Sequence, residues 1–208
     1  MLSGPKDRYW DWASFASEKE AHSLLSPVSR RKVGKKLAAK RRKDILEHIH
    51  ADGDLNEVLL TDTLLVLPYD MLTKVDLMSM ANSLEVRTPF LDYKVVDFAF
   101  SLPVSSKVDG TMKKKIVQDA FRPMLPPELY DRPKHGFEVP LLKWMRGELR
   151  PLIEQDLLAD DYVASQGIFD VAGVQQLKKQ LFSNNPGDAH ARIWALLVFQ
   201  YWWKKYMA

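Results

Sequence analysis

Apolar positions recur along this chain with a period near 3.6, and strict alternation is nearly missing. The pattern therefore predicts helices joined by short loops, and a mainly α fold. Tyr9, Trp10, Trp12 and Phe15, continued by Leu24 and Leu25, predict a first helix that ends near Pro27. Ser29 is a candidate N-cap for a second helix reaching about His50, with Gly34 inside it. Asp52-Gly53-Asp54 marks a turn, and Asp54 can cap a helix over 55–67. Periodicity alone also allows a buried strand there. Beyond Pro68, a helix over 69–83 carries Met71, Leu72, Val75, Met78 and Met80 as a stripe, expected to be core rather than a cofactor box.

Asp92 is expected to cap a short helix with Val95, Val96, Phe98 and Ala99 inward, stopped by Pro103. A turn at Val108-Asp109-Gly110 leads to a helix over 112–124. Pro123, Pro126, Pro127, Pro133 and Pro140 remove backbone donors but stiffen the chain, which predicts a shaped loop. Helices follow at 141–158 (with Trp144) and from Asp170 to near Ser183, then an Asn184-Asn185-Pro186-Gly187 turn. Asp188 would cap a last helix, in which Ile193, Trp194, Leu196, Leu197, Val198, Phe199, Tyr201 and Trp202 suggest burial almost all round.

With 208 residues, 46% of them hydrophobic, a sizeable core is possible without crosslinks. The chain has no cysteine, which excludes disulfides, thiolate nucleophiles and cysteine-based metal sites. The longest apolar run, 193–199, is far short of a membrane span, and the expected location is the cytoplasm. The opening letters, MLSGPKDRYWDW, read more like an interior segment than a start. The net charge of +3 conceals an asymmetry: residues 1–50 hold 12 Lys/Arg against 6 Asp/Glu. Nine of those cations lie in the Arg30 to Lys43 run, with no acid and no aromatic residue among them. Such a run suits either a nucleic-acid surface or a solvated helix face; the second is the commoner origin, so nucleic acid is not the expected partner.

For chemistry, the glycines form no phosphate loop, and no nucleophile elbow is present. His48 and His50 stand near Asp52 and Asp54, but a spacing of two on a helix points the imidazoles apart, so no metal site is expected. Glu85 sits where a helix stops, in Ser83-Leu84-Glu85-Val86-Arg87-Thr88-Pro89, with Pro89 steering Thr88 out of the α region. A carboxylate held there can face a ligand as base or positioning group, with Arg87 compensating its charge; from the residues alone a surface ion pair is the commoner reading. Lys134, between Pro133 and His135 in the stiff loop, can present a compact positive charge to a developing anion, with Lys113, Lys114 and Lys115 adding attraction. An ordinary surface lysine is the plainer alternative.

Three ordered stretches resemble the C-terminal part of glutamine-dependent asparagine synthetase. They are LPYDMLTKVDLMSMANSLEVRTPFLD at 67–92, Gly110 with Lys114 in a G-x(3)-K pattern, and RPKHGFEVPLLKWMRGEL at 132–149. The resemblance implies a fold that is the helical C-terminal portion of an α/β adenylate-forming (PP-loop) synthetase domain, lacking most or all of its parallel sheet. It implies one helical piece, with a basic lead-in at 1–53, a motif-bearing core at 54–149 and C-terminal helices at 150–208. The implied reaction activates aspartate with ATP as aspartyl-adenylate and amidates it with glutamine-derived ammonia. Glu85 and Lys134 would be catalytic, with Asp76, Arg87 and Lys114 binding substrate or shaping the site.

The family's Ser-Gly-Gly-x-Asp-Ser and Gly-Ala-Asp-Glu motifs do not occur here, and Leu77, Tyr69 and Gln118 depart from its usual residues. ATP and magnesium are thus expected in the full-length enzyme but not bound to this piece, which should be inactive alone. Its partners would be the glutaminase and nucleotide-binding segments, with a homodimer possible through apolar faces left uncovered. A helical interaction module on the same scaffold, or a β-lactam- or amide-forming relative, are the competing readings, and Leu77 leaves the acceptor open.

Overall fold

Among the described residues, regular structure is helical except for one two-stranded antiparallel ribbon, as the apolar period predicts. The computed structural model describes residues 4–33, 35–110, 112–129 and 139–207. They divide into two compact units, Met1–Tyr9 with Asp44–Gly136 and Trp10–Lys43 with Phe137–Ala208.

The predicted first helix is two: α1 (Pro5–Ala13) and α2 (Glu18–Ser23). Ser17 and Glu20 explain the break, because the Ser17 hydroxyl accepts from the Glu20 N–H while the Glu20 carboxylate accepts from the Ser17 N–H. Of the aromatic anchors only Tyr9 is buried, and Trp12 and Phe15 stay exposed. The basic run also divides, into α3 (Pro27–Val33) and α4 (Lys35–Leu46). Its first cap is Ser26 rather than Ser29: the Ser26 hydroxyl accepts from the Ser29 N–H at 3.2 Å, with Pro27 opening the helix, where a missing N–H is harmless.

In the first unit, Asp54 caps α5 (Leu55–Leu64) by accepting from the Asn56 N–H at 2.8 Å. The Tyr9 hydroxyl donates to Asp62 of this helix at 2.8 Å. Burial first, then that carboxylate, pushes the Tyr9 phenol well above its ordinary value. Pro68 does not break the chain. It lies in a widened π-helical stretch, Leu67–Leu72, in which the Thr73 N–H reaches back to the Pro68 carbonyl. The helix then continues as α6 (Thr73–Ala81).

Asp92 caps α7 (Tyr93–Ser101) through the Lys94 N–H, as expected. Yet Val95 and Phe98, expected inward, are exposed. After α8 (Val104–Lys107), strands β1 (Val108–Asp109) and β2 (Met112–Lys113) pair Val108 with Lys113 and Asp109 with Met112. Gly110 takes φ +43° at the tip of this ribbon, which a Cβ would resist. The predicted helix over 112–124 is shortened to α9 (Lys115–Phe121), followed by 3-10 turns at Arg122–Met124 and Pro127–Leu129.

The second unit holds the main core. Met145 of α10 (Leu141–Arg146) joins Ile153, Leu157 and Leu158. Val163 comes from α11 (Asp160–Gln166), and Val174, Leu177 and Leu181 from α12 (Val171–Phe182). Ala189, Ile193, Leu196 and Leu197 of α13 (Ala189–Tyr206) complete it. The helix predicted over 141–158 breaks at Gly147, whose φ of −112° and ψ of −102° are not helical, and resumes partly as a π-helical stretch, Leu152–Asp156.

Asp170 caps α12 through the Gly173 N–H at 2.7 Å. Asp188 stands at the start of α13, but its side chain makes no capping bond. Helix α13 meets α10 and α12 and buries one face only, that of Ile193, Leu196, Leu197 and Gln200. Trp194, Val198, Tyr201 and Trp202 are exposed, which corrects the expectation of burial all round. Gln200 is fully buried, and its amide exchanges two 2.8 Å hydrogen bonds with that of Gln166.

Candidate functional site

The widened turn and α6 place Pro68, Leu72, Thr73, Val75, Asp76, Ser79 and Met80 along one side, at the three- and four-residue steps of a helix. The segment after the helix returns Glu85, Val86, Arg87 and Thr88 to that same side. Together they line an open groove of about 540 Å³ in the first unit. The stripe expected to be core thus splits. Leu72, Val75 and Met80 line the groove, α6 has no buried residue, and Met78 and Met80 are 58% and 61% exposed. An apolar stripe becomes core only where another element covers it, and no described element covers this one closely enough to bury it.

The chain leaves α6 through a tight C-terminal motif. Ser83 lies in the left-handed region at φ +57°. Its N–H donates to the Met80 carbonyl at 3.0 Å, and the Leu84 N–H donates to the Ser79 carbonyl at 2.9 Å. Thr88 sits at φ −119° and ψ 79°, outside the α region as Pro89 requires. Between these two fixed points Glu85 forms an ion pair with Arg87, their side chains 69% and 86% exposed. An ion pair so open to water adds at most about 1 kcal/mol of stability, so Glu85 can exchange Arg87 for a cationic or protonated ligand at little cost.

Of the residues singled out from sequence, Asp76, Glu85 and Arg87 come together in this groove. Lys114 does not line it. It is exposed at the start of α9, itself left-handed at φ +59°, with its carbonyl accepting from the Val117 and Gln118 N–H groups. Lys134 lies outside the described residues. Leu77 is exposed and not among the lining residues. Thr73, Ser79 and Thr88 add hydroxyl-bearing residues that the motif reading passed over. The signal for two of them was present, since positions 73 and 79 lie three residues either side of Asp76.

The remaining polar clusters have structural partners. The His50 Nδ1 pairs with the Glu57 carboxylate at 2.7 Å, and the His50 N–H donates to the same carboxylate. These bonds, the backbone one first, hold the Glu57 carboxyl below its usual range. Burial depresses the Lys107 ammonium, which donates to Asn56 at 2.5 Å. Within the basic run, Arg30 donates to the Leu25 and Ser23 carbonyls, and Arg42 pairs with Glu18 and lies 5.7 Å from the centre of the Trp10 ring. Two of its nine cations therefore serve local packing. Among the described residues no helix is long and apolar enough to cross a membrane.

The family model described as asparagine synthase matches residues 4–204. A putative asparagine synthetase (glutamine-hydrolyzing) of Mycobacterium tuberculosis strain H37Rv is 35% identical over 134 residues, 64% of this chain and 20% of that protein. Asparagine synthetase (glutamine-hydrolyzing) 1 of Bacillus subtilis strain 168 is 30% identical over 153 residues, 72% of this chain and 23% of that protein. The amidase chyE of Penicillium rubens is 28% identical over 114 residues, 52% of this chain and 17% of that protein. The chain spans about a fifth of the length of these curated relatives, and no solved structure matches it. With a match over nearly its whole length, and with Asp76, Glu85 and Arg87 of its longest motif gathered in one groove, the chain belongs to the asparagine synthase family.

Proposed function

We propose that this chain supplies one wall of an amide-forming site in an ATP-dependent, glutamine-hydrolysing asparagine synthetase. The observation that carries the reading is the groove in which Asp76, Glu85 and Arg87 converge. In the proposed reaction the aspartate side-chain carboxylate attacks the α-phosphorus of ATP and pyrophosphate leaves. Ammonia then attacks the acyl carbon of the adenylate, AMP leaves with the bonding electrons, and asparagine results. Glu85 accepts the proton that the attacking nitrogen must lose as the C–N bond forms. Arg87 holds that carboxylate until substrate replaces it, and Asp76 shapes the floor beside it. Lys134 offsets the negative charge that builds on the α-phosphate and then on the tetrahedral acyl centre.

Nucleotide and glutamine are handled, on this reading, by further glutaminase and nucleotide-binding segments joined to this chain. The test compares the 208-residue chain alone with the same chain joined to those segments, measuring aspartate-dependent ATP–pyrophosphate exchange and ammonia-dependent asparagine formation. Neither activity is expected from the chain alone. In the joined form Glu85→Gln should slow amide formation by about 10²- to 10⁴-fold while exchange persists, and Lys134→Met should slow both. Asparagine made by the chain alone, or full activity of Glu85→Gln, overturns the reading. The likeness to a fungal amidase keeps a different acceptor acid in view; exchange with other carboxylic acids but not with aspartate would establish it.

A further inference from the structure

We infer that Ser83 is a positioning residue: its left-handed backbone turns the chain so that Glu85 returns to the groove face of the helix it has just left. Helix α6 presents Asp76, Ser79 and Met80 on that face. The chain must then reverse within four residues for Glu85, Val86 and Arg87 to line the same groove. The reversal is made by the two hydrogen bonds that close the helix, Ser83 N–H to the Met80 carbonyl and Leu84 N–H to the Ser79 carbonyl. The second needs a left-handed residue at position 83, whose φ and ψ it spans, and Ser83 supplies it at φ +57°. The Asn82 amide, donating to the Met78 carbonyl at 2.8 Å, braces the last turn from the other side.

An L-residue with a Cβ holds this conformation only against a steric cost, and such costs persist where the neighbouring structure over-determines them. Here that structure is the closing bond pair on one side and the Pro89-constrained Thr88 on the other. If position 83 relaxed to the right-handed or extended region, the bond from the Leu84 N–H to the Ser79 carbonyl would be lost. The segment would leave α6 in another direction and carry the Glu85 carboxylate away from Asp76. Ser83 makes no chemical contribution of its own in this account; it acts through Glu85.

This inference rests on the reading of Glu85 given above, and the test separates the two. In the chain joined to its glutaminase and nucleotide-binding segments, Ser83 is replaced by Gly and Asn, which adopt the left-handed region readily. It is also replaced by Ala, which adopts it poorly, and by Val, whose branched Cβ is excluded. The expected result is kcat for ammonia-dependent amide formation within about 2-fold of the parent for Ser83→Gly and Ser83→Asn, since neither adds a steric barrier there. Ser83→Ala should lose several-fold, and Ser83→Val on the order of 100-fold, the scale of a misplaced reacting group. The KM for ATP and the far-ultraviolet dichroism should be unchanged throughout. If Ser83→Val does not fold, the order of Gly, Asn and Ala decides alone. Equal kcat for Ala and Gly variants, with Glu85→Gln inactive, overturns the positioning role and leaves the reading of Glu85 standing. An active Glu85→Gln overturns that reading, and the role of Ser83 falls with it.

Discussion

The two units of this chain are held together in different ways. The second buries twelve apolar side chains in one continuous cluster, from Met145 to Leu197. The first carries the groove, yet its described residues bury little more than Tyr9, Leu46, Ile49 and Thr61. Its large apolar side chains, Tyr69, Met78, Phe90, Tyr93 and Phe98 among them, lie open. A helix whose apolar face is uncovered gains little from burial, so the groove elements are held by local devices instead. These are the caps at Asp54 and Asp92, the closing bonds of α6 and the constraint at Pro89. The unit that carries the groove is fixed residue by residue, and the other is fixed by packing.

That contrast can be broken most sharply in the core. Leu181→Ala should cost about 2–5 kcal/mol through lost burial and the cavity left behind, read as a lower urea midpoint. An effect below about 1 kcal/mol would mean that the second unit is as loosely held as the first. Next in size, Tyr9→Phe removes the hydroxyl that donates to Asp62 and should cost about 1.5–3 kcal/mol, the range for a bond to a charged acceptor. It also carries a pH signature. Folding raises the Tyr9 phenol above its unfolded value, so its contribution is complete below about pH 10 and is lost as the pH climbs toward the folded value. Denaturation followed from pH 8 upward should show an alkaline loss in the parent that Tyr9→Phe lacks.

Asp170→Ala should cost about 1 kcal/mol, the usual value of a helix cap. Asp92→Ala should cost the same, since a cap does not depend on how well its helix is packed. Thermal melts of the two variants would reveal any difference. Smallest of all, Met78→Ser should stay within about 0.5 kcal/mol, because an exposed side chain has little to lose. A large loss in that variant would show the methionine stripe to be covered in solution.

The elements that could be read from the letters are those built from short-range forces. Asp54, Asp92 and Asp170 act on N–H groups two or three residues ahead, and each begins a helix where the sequence places one. Glu85, Asp76 and Arg87 were legible too, because a motif of this length keeps its residues at spacings that a helix and its exit turn convert into proximity. Burial was not legible. Met80 and Val163 are both apolar residues at helical spacing, and only the presence of packed neighbours makes Val163 core and leaves Met80 exposed. Nor does the apolar pattern report a break that keeps its phase. The capping box at Ser17 and Glu20 divides one apolar stripe into two helices, as Gly147 does later. The widened turn at Leu67–Leu72 slips an extra residue past Pro68 without disturbing the stripe.

The paired amides of Gln166 and Gln200 have a consequence for heredity. Each donates one bond to the other and accepts one in return, Gln200 fully buried and Gln166 half-buried. An apolar replacement of Gln166 strands the fully buried Gln200 amide without its bonds, whereas replacing both by leucine removes that unmet demand. Selection should therefore treat positions 166 and 200 as one inherited character. In a library randomised at both and selected for solubility, glutamine pairs and apolar pairs should survive together while an apolar residue at 166 beside a retained Gln200 is lost.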